Sequence, residues 1–197
     1  MTEADWKPRT ASIEVESDSP TSGINLIVLR ARFEQIIHWP RAAGEPDYNY
    51  LHMMLCVCGW HLRCLTGDQF VVAELLEFFS ALDAGEKCNL ESNYSHIQLE
   101  FEPLAGGSSD QDDLAWCVRF DLPKVVHPID ERPHGVLELR LKGAFEATNP
   151  QVREFRDALF AGMEDLRRIA DSRNCSSAFP AGPDENLPPL YGADLGF

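Results

Sequence analysis

Apolar and polar residues alternate along several stretches of the chain, and this pattern predicts β-strands that bury one face. In 95–102, for example, Ile97, Leu99 and Phe101 fall on one side and polar residues fall on the other. One-sided burial of this kind is typical of antiparallel sheets with a solvated face. The alternation predicts strands over residues 12–17, 24–37, 50–65, 87–92, 95–102, 114–122 and 136–145.

Two of these predicted strands have further features. The pattern continues through 50–65, which predicts one long strand that is bent or bulged near Gly59. The strand at 24–37 has one apolar face and one charged face that we expect to be half exposed. The apolar face consists of Ile27, Leu29, Ala31 and Phe33, and the charged face of Arg30, Arg32 and Glu34.

Two other stretches have apolar residues at steps of three and four, which predicts helices with one buried face. The first covers 69–84, because Thr66 and Gln69 form the T-x-x-Q pattern of a capping box and Gly85 is a natural residue after a helix end. The second begins at Thr148-Asn149-Pro150 and runs to about Asp171. The predicted stripes are Val72, Leu75, Leu76, Phe79 and Leu82 in the first helix, and Val152, Phe155, Leu159, Met163 and Leu166 in the second.

The predicted order is three strands, a helix, four strands and a helix, without the regular alternation of a parallel α/β fold. We therefore expect an α+β fold: a mostly antiparallel curved sheet or sandwich of about six to seven strands, with two helices packed against it. The expected organisation is a flexible N-terminus at 1–11, a single domain at 12–171, and a flexible tail rich in proline and glycine at 172–197. No internal repeat is visible in the sequence.

Acidic residues outnumber basic residues 32 to 17, which gives a formal net charge of −15. This charge argues against binding to nucleic acid, which needs a basic surface, and against adhesion to anionic membranes. It favours solubility and association with cationic partners. No apolar stretch reaches the ~18–20 residues of a membrane span and no secretory signal is visible, so we expect a soluble cytoplasmic protein.

The cysteines are expected to be reduced thiols, since most of them lie in apolar strand-like runs and no secretory signal precedes them. They are Cys56, Cys58, Cys64, Cys88, Cys117 and Cys175. The candidate metal ligands are Cys56, Cys58, His61 and Cys64. On a straight strand His61 points away from the cysteines, and Cys56 lies ~26 Å from Cys64. One ion cannot reach all four unless the strand folds back, so we interpret the cluster as core packing and predict no metal site.

No recognisable catalytic motif appears, and the glycine-rich loop at 106–109 lacks the G-K-[ST] ending of a phosphate-binding loop. We therefore predict no catalytic residue and no cofactor. An active site assembled from scattered residues is the alternative. A concave pocket that holds His61 or His96 beside a carboxylate would favour that alternative.

Two loops are candidate partner-binding surfaces. The loop at 38–50 contains Trp39 and Tyr48, and exposed aromatic residues are frequent anchors of protein interfaces. The loop at 106–113 contains Asp110, Asp112 and Asp113, which form an anionic patch suited to a basic partner. The alternatives are that Trp39 folds back over the sheet edge and that the acidic loop is simply solvated.

Specific sequence motifs accompany this order of strands and helices. They are V-C-G-W-H-L at 57–62, L-L-x-F-F-x-A-L-x-x-G at 75–85, L-E-F-E-P-L at 99–104, V-R-F-D-L at 118–122, V-L-E-L-R-L at 136–141 and F-x-x-x-L at 155–159. Together, over about residues 12–170, they resemble the WapI-type immunity protein family, or a related domain of unassigned function.

That resemblance implies a small cytoplasmic binding protein, not an enzyme, which neutralises a cognate polymorphic toxin by steric and electrostatic blockade. Toxin domains that cut nucleic acid are basic at their active sites, so a dense acidic surface would favour fast association with them. The expected partner is a basic toxin domain, and neither nucleic acid nor membrane. Two alternatives stay open: a small enzyme with a non-motif active site, and a self-associating regulatory or structural domain that pairs through an exposed edge such as 12–17.

Overall fold

Two antiparallel sheets, each followed in the chain by a helix, make up the architecture. The computed structural model of the protein describes residues 8–19, 23–38, 49–59, 62–104, 115–126 and 137–172. Its elements are β1 (Ala11–Ser19), β2 (Gly23–His38), β3 (Asn49–Gly59), β4 (Leu62–Val71), α1 (Val72–Ala84), β5 (Cys88–Glu91), β6 (Gln98–Pro103), β7 (Ala115–Val126), β8 (Leu137–Thr148) and α2 (Asn149–Ser172).

Each sheet is a four-stranded meander in which every strand pairs with its neighbours in sequence. The first sheet has the order β1-β2-β3-β4 and the second has the order β5-β6-β7-β8, with all pairings antiparallel. This confirms the predicted α+β fold with antiparallel sheets and two helices. The described residues contain eight strands, and the succession of four strands and a helix occurs twice, although no sequence repeat marks it.

The prediction of one long strand at 50–65 is wrong, because the chain reverses after Gly59 and forms a hairpin. β4 runs back along β3, with Tyr50 opposite Val71 at one end and Gly59 opposite Leu62 at the other. An apolar alternation with period two fits two successive strands as well as it fits one. The residues that join the two strands, 60 and 61, lack the Asn-Gly or Asp-Gly signal of common two-residue hairpin loops.

The predicted start of the first helix is also wrong, although its end is confirmed. Thr66 does not cap a helix, since it lies in β4 opposite Leu55, and α1 begins at Val72 without a side-chain cap. The helix ends at Ala84, and Gly85 follows in the left-handed conformation with φ of 71°, which glycine adopts without strain. The buried residues of α1 are Val72, Leu75, Phe78, Phe79 and Leu82. Leu76, which we expected in this stripe, is 40% exposed.

The second helix begins as predicted, and Gln151 forms the half of a capping box that reaches back to Thr148. The side-chain oxygen of Gln151 accepts hydrogen bonds from the backbone N–H of Thr148 at 2.9 Å and from its hydroxyl at 3.0 Å. The side-chain nitrogen of Gln151 donates to the backbone carbonyl of Glu14 in β1 at 2.7 Å, which ties the helix start to the first sheet. The predicted stripe of α2 is confirmed, since its members are all buried: Val152, Phe155, Leu159, Met163 and Leu166.

Both sheets and both helices contribute to one hydrophobic cluster. At its centre Phe101 of β6 contacts Phe78 of α1, with ring centroids 5.5 Å apart, and Phe155 of α2, with centroids 6.0 Å apart. Trp116 of β7 is fully buried, and its indole N–H donates to the side-chain oxygen of Asn149 at 2.9 Å. These contacts fix both helices against the second sheet.

Among the described helices, we find none with the length and apolar character needed to cross a bilayer.

Replacing Gln151 by alanine removes both the cap of Thr148 and the bond to Glu14, so we expect the free energy of unfolding to fall by about 1–2 kcal/mol. Urea unfolding followed by circular dichroism measures this change. Gln69→Ala is the matched control, because Gln69 holds the same place in the other T-x-x-Q pattern but lies in a strand. We expect that control to change the free energy by less than about 0.5 kcal/mol. Equal losses in the two variants would contradict this assignment of the cap.

Candidate functional site

A groove of about 500 Å³ lies between α1 and the loop and strand around β5. β5 is an edge strand, because the order of the second sheet begins with it. The walls carry three carboxylates: Glu74 and Glu77 from α1, and Glu91 from β5. The described lining of this groove, which we call the acidic groove, contains no lysine, arginine or histidine.

The helix side of the acidic groove follows from the helical period of α1. Phe78 points into the core, where it contacts Phe101, and Glu74 and Glu77 are exposed on the groove side. Residues three apart lie on the same face of a helix, so the two carboxylates stand next to each other. Within Val72–Ala84 the charged residues are Glu74, Glu77 and Asp83, and none is basic. The charged residues of α1 are therefore all acidic, and Asp83 among them is paired with Arg156 of α2.

The opposite wall is a loop held by backbone hydrogen bonds and by one buried serine. The hydroxyl of Ser92 accepts hydrogen bonds from the backbone N–H groups of His96 and Ile97, both at 3.1 Å. The backbone N–H of Asn93 donates to the carbonyl of Gln69 at 2.8 Å, which fastens the loop to the end of β4 just before α1 begins. Ser95 has φ of 55°, in the left-handed region that turns the chain back into β6. The groove is thus built between two anchored walls.

Tyr94 stands at the rim of this loop and is 61% exposed, one of the few large apolar side chains left open to solvent in the described ranges. Its ring lies 6.2 Å from that of His96, centroid to centroid, at an angle of 31°. Its neighbours Asn93 and Ser95 line the acidic groove. An exposed aromatic residue next to a charged depression is a common arrangement in protein interfaces.

The outer face of the second sheet is charged as well, but most of its described carboxylates are paired with cations. Glu100 and Glu102 both form ion pairs with Arg119 and Lys87. The hydrogen bond from Lys87, together with the one from Arg119, lowers the pKa of Glu100. On the neighbouring strands, Asp121 pairs with two cations.

The acidic groove differs from this face because its carboxylates have no such partners. None of Glu74, Glu77 and Glu91 forms an ion pair with another residue in the described part of the chain. Within the described ranges, no basic side chain in the lining compensates the negative charge there. This charge is therefore available to a cation from outside.

The floor of the acidic groove includes Cys88, whose thiol is a poor nucleophile. Burial raises the pKa of Cys88 to about 12, so the thiol is protonated at neutral pH. His96 is absent from the described lining, and His61 lies outside the described residues. The pocket that would favour an enzyme, with one of these histidines beside a carboxylate, is therefore not the acidic groove.

The cysteine cluster is arranged differently from the prediction. We expected Cys56, Cys58 and Cys64 on one face of a long strand, but the hairpin places Cys64 opposite Val57, and both join the core. Cys56 and Cys58 lie on the other face of β3. The five cysteines of the described ranges are free thiols, and those ranges hold no group of three or more His, Cys, Asp and Glu side chains arranged to bind a metal ion. Cys175 lies outside the described residues.

The predicted contact residues fall where the structure gives no description, and sequence reasoning missed the acidic groove. The sequence shows that Glu74 and Glu77 are three residues apart on a predicted helix. Nothing in the sequence near them indicates that β5 forms the other wall of the groove. The predicted residues outside the described ranges are Trp39, Tyr48, Asp110, Asp112 and Asp113.

Comparison of the chain with models of protein families, with curated proteins and with solved structures found no match. The resemblance to WapI-type immunity proteins therefore stays a prediction.

Removing the hydroxyl of Ser92 should loosen one wall of the acidic groove. In Ser92→Ala the backbone N–H groups of His96 and Ile97 lose their acceptor, and we expect a loss of about 1–3 kcal/mol in the free energy of unfolding. We also expect faster amide hydrogen exchange at these two positions. Ser80→Ala, an exposed serine of α1, is the control and should leave both unchanged. Normal protection of the two amides in Ser92→Ala would refute this account of the wall.

Proposed function

We propose that the protein is a binding protein that captures a basic partner, and that the acidic groove receives lysine or arginine side chains of that partner. The observation that carries the proposal is the set of three carboxylates, Glu74, Glu77 and Glu91, with no basic residue in the described lining. Glu74 and Glu77 are exposed and Glu91 is half-buried, so a cation of the partner can reach all three carboxylates and interact with their combined charge.

The net charge supports the same proposal at long range. A charge of −15 attracts a basic domain before contact and raises the rate of association. We propose the acidic groove as the contact site for the basic partner, because most carboxylates on the outer face of the second sheet are already paired with cations. Charge complementarity of this kind contributes more to association rate and specificity than to affinity.

Tyr94 would supply the apolar part of the contact. Tyrosine is enriched among the residues that dominate binding energy, and its ring face attracts lysine and arginine side chains. With 61% of its surface exposed, the ring can be covered by a partner without rearrangement of the core.

An immunity-type role fits these features, and it is the role that the family resemblance implies. In this role the protein covers a basic toxin domain, competes with its anionic substrate and so blocks it sterically and electrostatically. We propose a cytoplasmic location, where the free thiols of the described cysteines are stable. The loops at 38–50, with Trp39 and Tyr48, and at 106–113, with Asp110, Asp112 and Asp113, are proposed as further contact surfaces.

The test begins with capture of the partner from native cell lysate at low and high salt, followed by mass spectrometry. With the captured partner, the double variant Glu74→Lys/Glu77→Lys should associate about tenfold or more slowly than wild type at low salt, and the difference should shrink in high salt. Stopped-flow or surface plasmon resonance kinetics measures both rates.

Glu154→Lys is the matched control, because Glu154 is an exposed helical glutamate outside the acidic groove. The double variant Glu154→Lys/Glu146→Lys changes the net charge by the same amount as Glu74→Lys/Glu77→Lys. It therefore reports the effect of net charge alone. Asp112→Lys/Asp113→Lys tests the acidic loop in the same assay. If the groove variant and the control slow association equally, the acidic groove is not the contact site. If no basic partner is retained at either salt concentration, the binding role itself is wrong.

A further inference from the structure

Two cysteines lie side by side on the face of the first sheet that points away from the core. β3 is an inner strand, paired with β2 on one side and β4 on the other. Val57 points into the core, so its neighbours Cys56 and Cys58 point to the opposite face, as side chains alternate along a strand. Their sulfur atoms are 3.4 Å apart, which is van der Waals contact.

The two thiols differ in their access to solvent. Cys56 is fully buried, whereas Cys58 is half-buried. Burial and, to a lesser extent, the adjacent Cys58 raise the pKa of Cys56 to about 11, although the hydrogen bond and charge of Arg63 act in the opposite direction. Arg63 lies directly opposite Cys58 on β4, and Arg30 lies opposite Cys56 on β2. Arg63 is therefore the cation that favours negative charge on the thiol pair, whereas Arg30 forms an ion pair with Glu14.

We propose that Cys56 and Cys58 form a thiol–disulfide exchange site that reacts with small disulfides of the glutathione type. Cys58 is the attacking thiol because it is the one that solvent reaches. Its thiolate attacks one sulfur of the small disulfide, so a mixed disulfide forms on Cys58 and one small thiolate leaves.

Cys56 completes the exchange. After losing its proton to water, its thiolate attacks the sulfur of Cys58, the Cys56–Cys58 bond forms, and the second small thiolate leaves and is protonated. Two protein thiols are thereby oxidised and one small disulfide is reduced to two thiols. Arg63 positions and stabilises the sulfur anions and is not itself changed.

Formation of this bond requires backbone movement, because the Cβ atoms of residues two apart on a strand are separated about as far as their Cα atoms, whereas disulfides have Cβ atoms about 3.5–4.5 Å apart. Residues two apart on a strand have Cα atoms roughly 6.7 Å apart, near the upper end of the range of about 4.4–6.8 Å found in disulfides. Closing the sulfur–sulfur distance from 3.4 Å requires rotation of the side chains and a local contraction of β3. Cys64 on the adjacent strand does not compete, because it joins the core on the other face.

The sequence allows an unambiguous test with the full chain. Between Arg41 and Arg63 there is no lysine or arginine, so trypsin releases residues 42–63 as one peptide that holds Cys56 and Cys58 and no other cysteine. Folded protein is incubated with oxidised glutathione, its remaining thiols are alkylated at low pH, and the digest is analysed by mass spectrometry. We expect this peptide to lose two hydrogens and to escape alkylation, faster at higher pH, and to return to the dithiol with reduced glutathione.

Serine variants assign the roles of the two thiols. Cys56→Ser should accumulate glutathione on Cys58, because no second thiol resolves the mixed disulfide. Cys58→Ser should react at least tenfold more slowly at Cys56, which is buried. Cys117→Ser, a half-buried cysteine of the second sheet, is the control and should keep the Cys56–Cys58 bond. A stable glutathione adduct on Cys58 of the wild-type protein, or no reaction of this peptide while the urea-unfolded chain reacts, would overturn the proposal.

Discussion

The contact of Phe101 with both helices is the interaction on which the rest of the structure depends. Its ring touches Phe78 of α1 on one side and Phe155 of α2 on the other, at centroid distances of 5.5 and 6.0 Å. Aromatic pairs of this kind contribute about 0.5–1.5 kcal/mol each beyond the burial of their surface. Since Phe78 is fixed in the core, Glu74 and Glu77 stand beside β5. The acidic groove therefore exists because the core positions α1, and its walls follow from packing.

The charges of the molecule divide into a paired set and an unpaired set, and this division supports the proposed function. On the outer face of the second sheet, cross-strand ion pairs neutralise Glu100 and Glu102, which contributes little to stability in solvent but removes them as binding groups. In the acidic groove the carboxylates have no cation among the described residues. A net charge of −15 would attract many basic molecules. The carboxylates of the acidic groove, together with the exposed Tyr94, restrict the proposed contact to one defined surface.

Most of the fold is predictable from the sequence, because local patterns determine which residues form strands and helices. Periodicity alone predicts the stripe of α2 and a strand at 95–102, which the structure places at Gln98–Pro103. The T-x-x-Q pattern was a poorer guide, since it caps a helix at Thr148, where a proline follows in the first turn, and lies within a strand at Thr66. There the alternation of β4 overrides the cap, and the helix begins six residues later than Thr66. The acidic groove was not predictable, because it needs α1 and β5 to meet, and long-range packing decides that.

Hydrogen–deuterium exchange of the protein with and without its captured partner tests the central claim most directly. The account predicts that binding slows exchange in the first turns of α1 and in residues 89–97, around Glu74 and Tyr94, and leaves the middle of α2 unchanged. Slower exchange confined to other surfaces, with α1 and residues 89–97 unaffected, would contradict the claim that the acidic groove is the binding site.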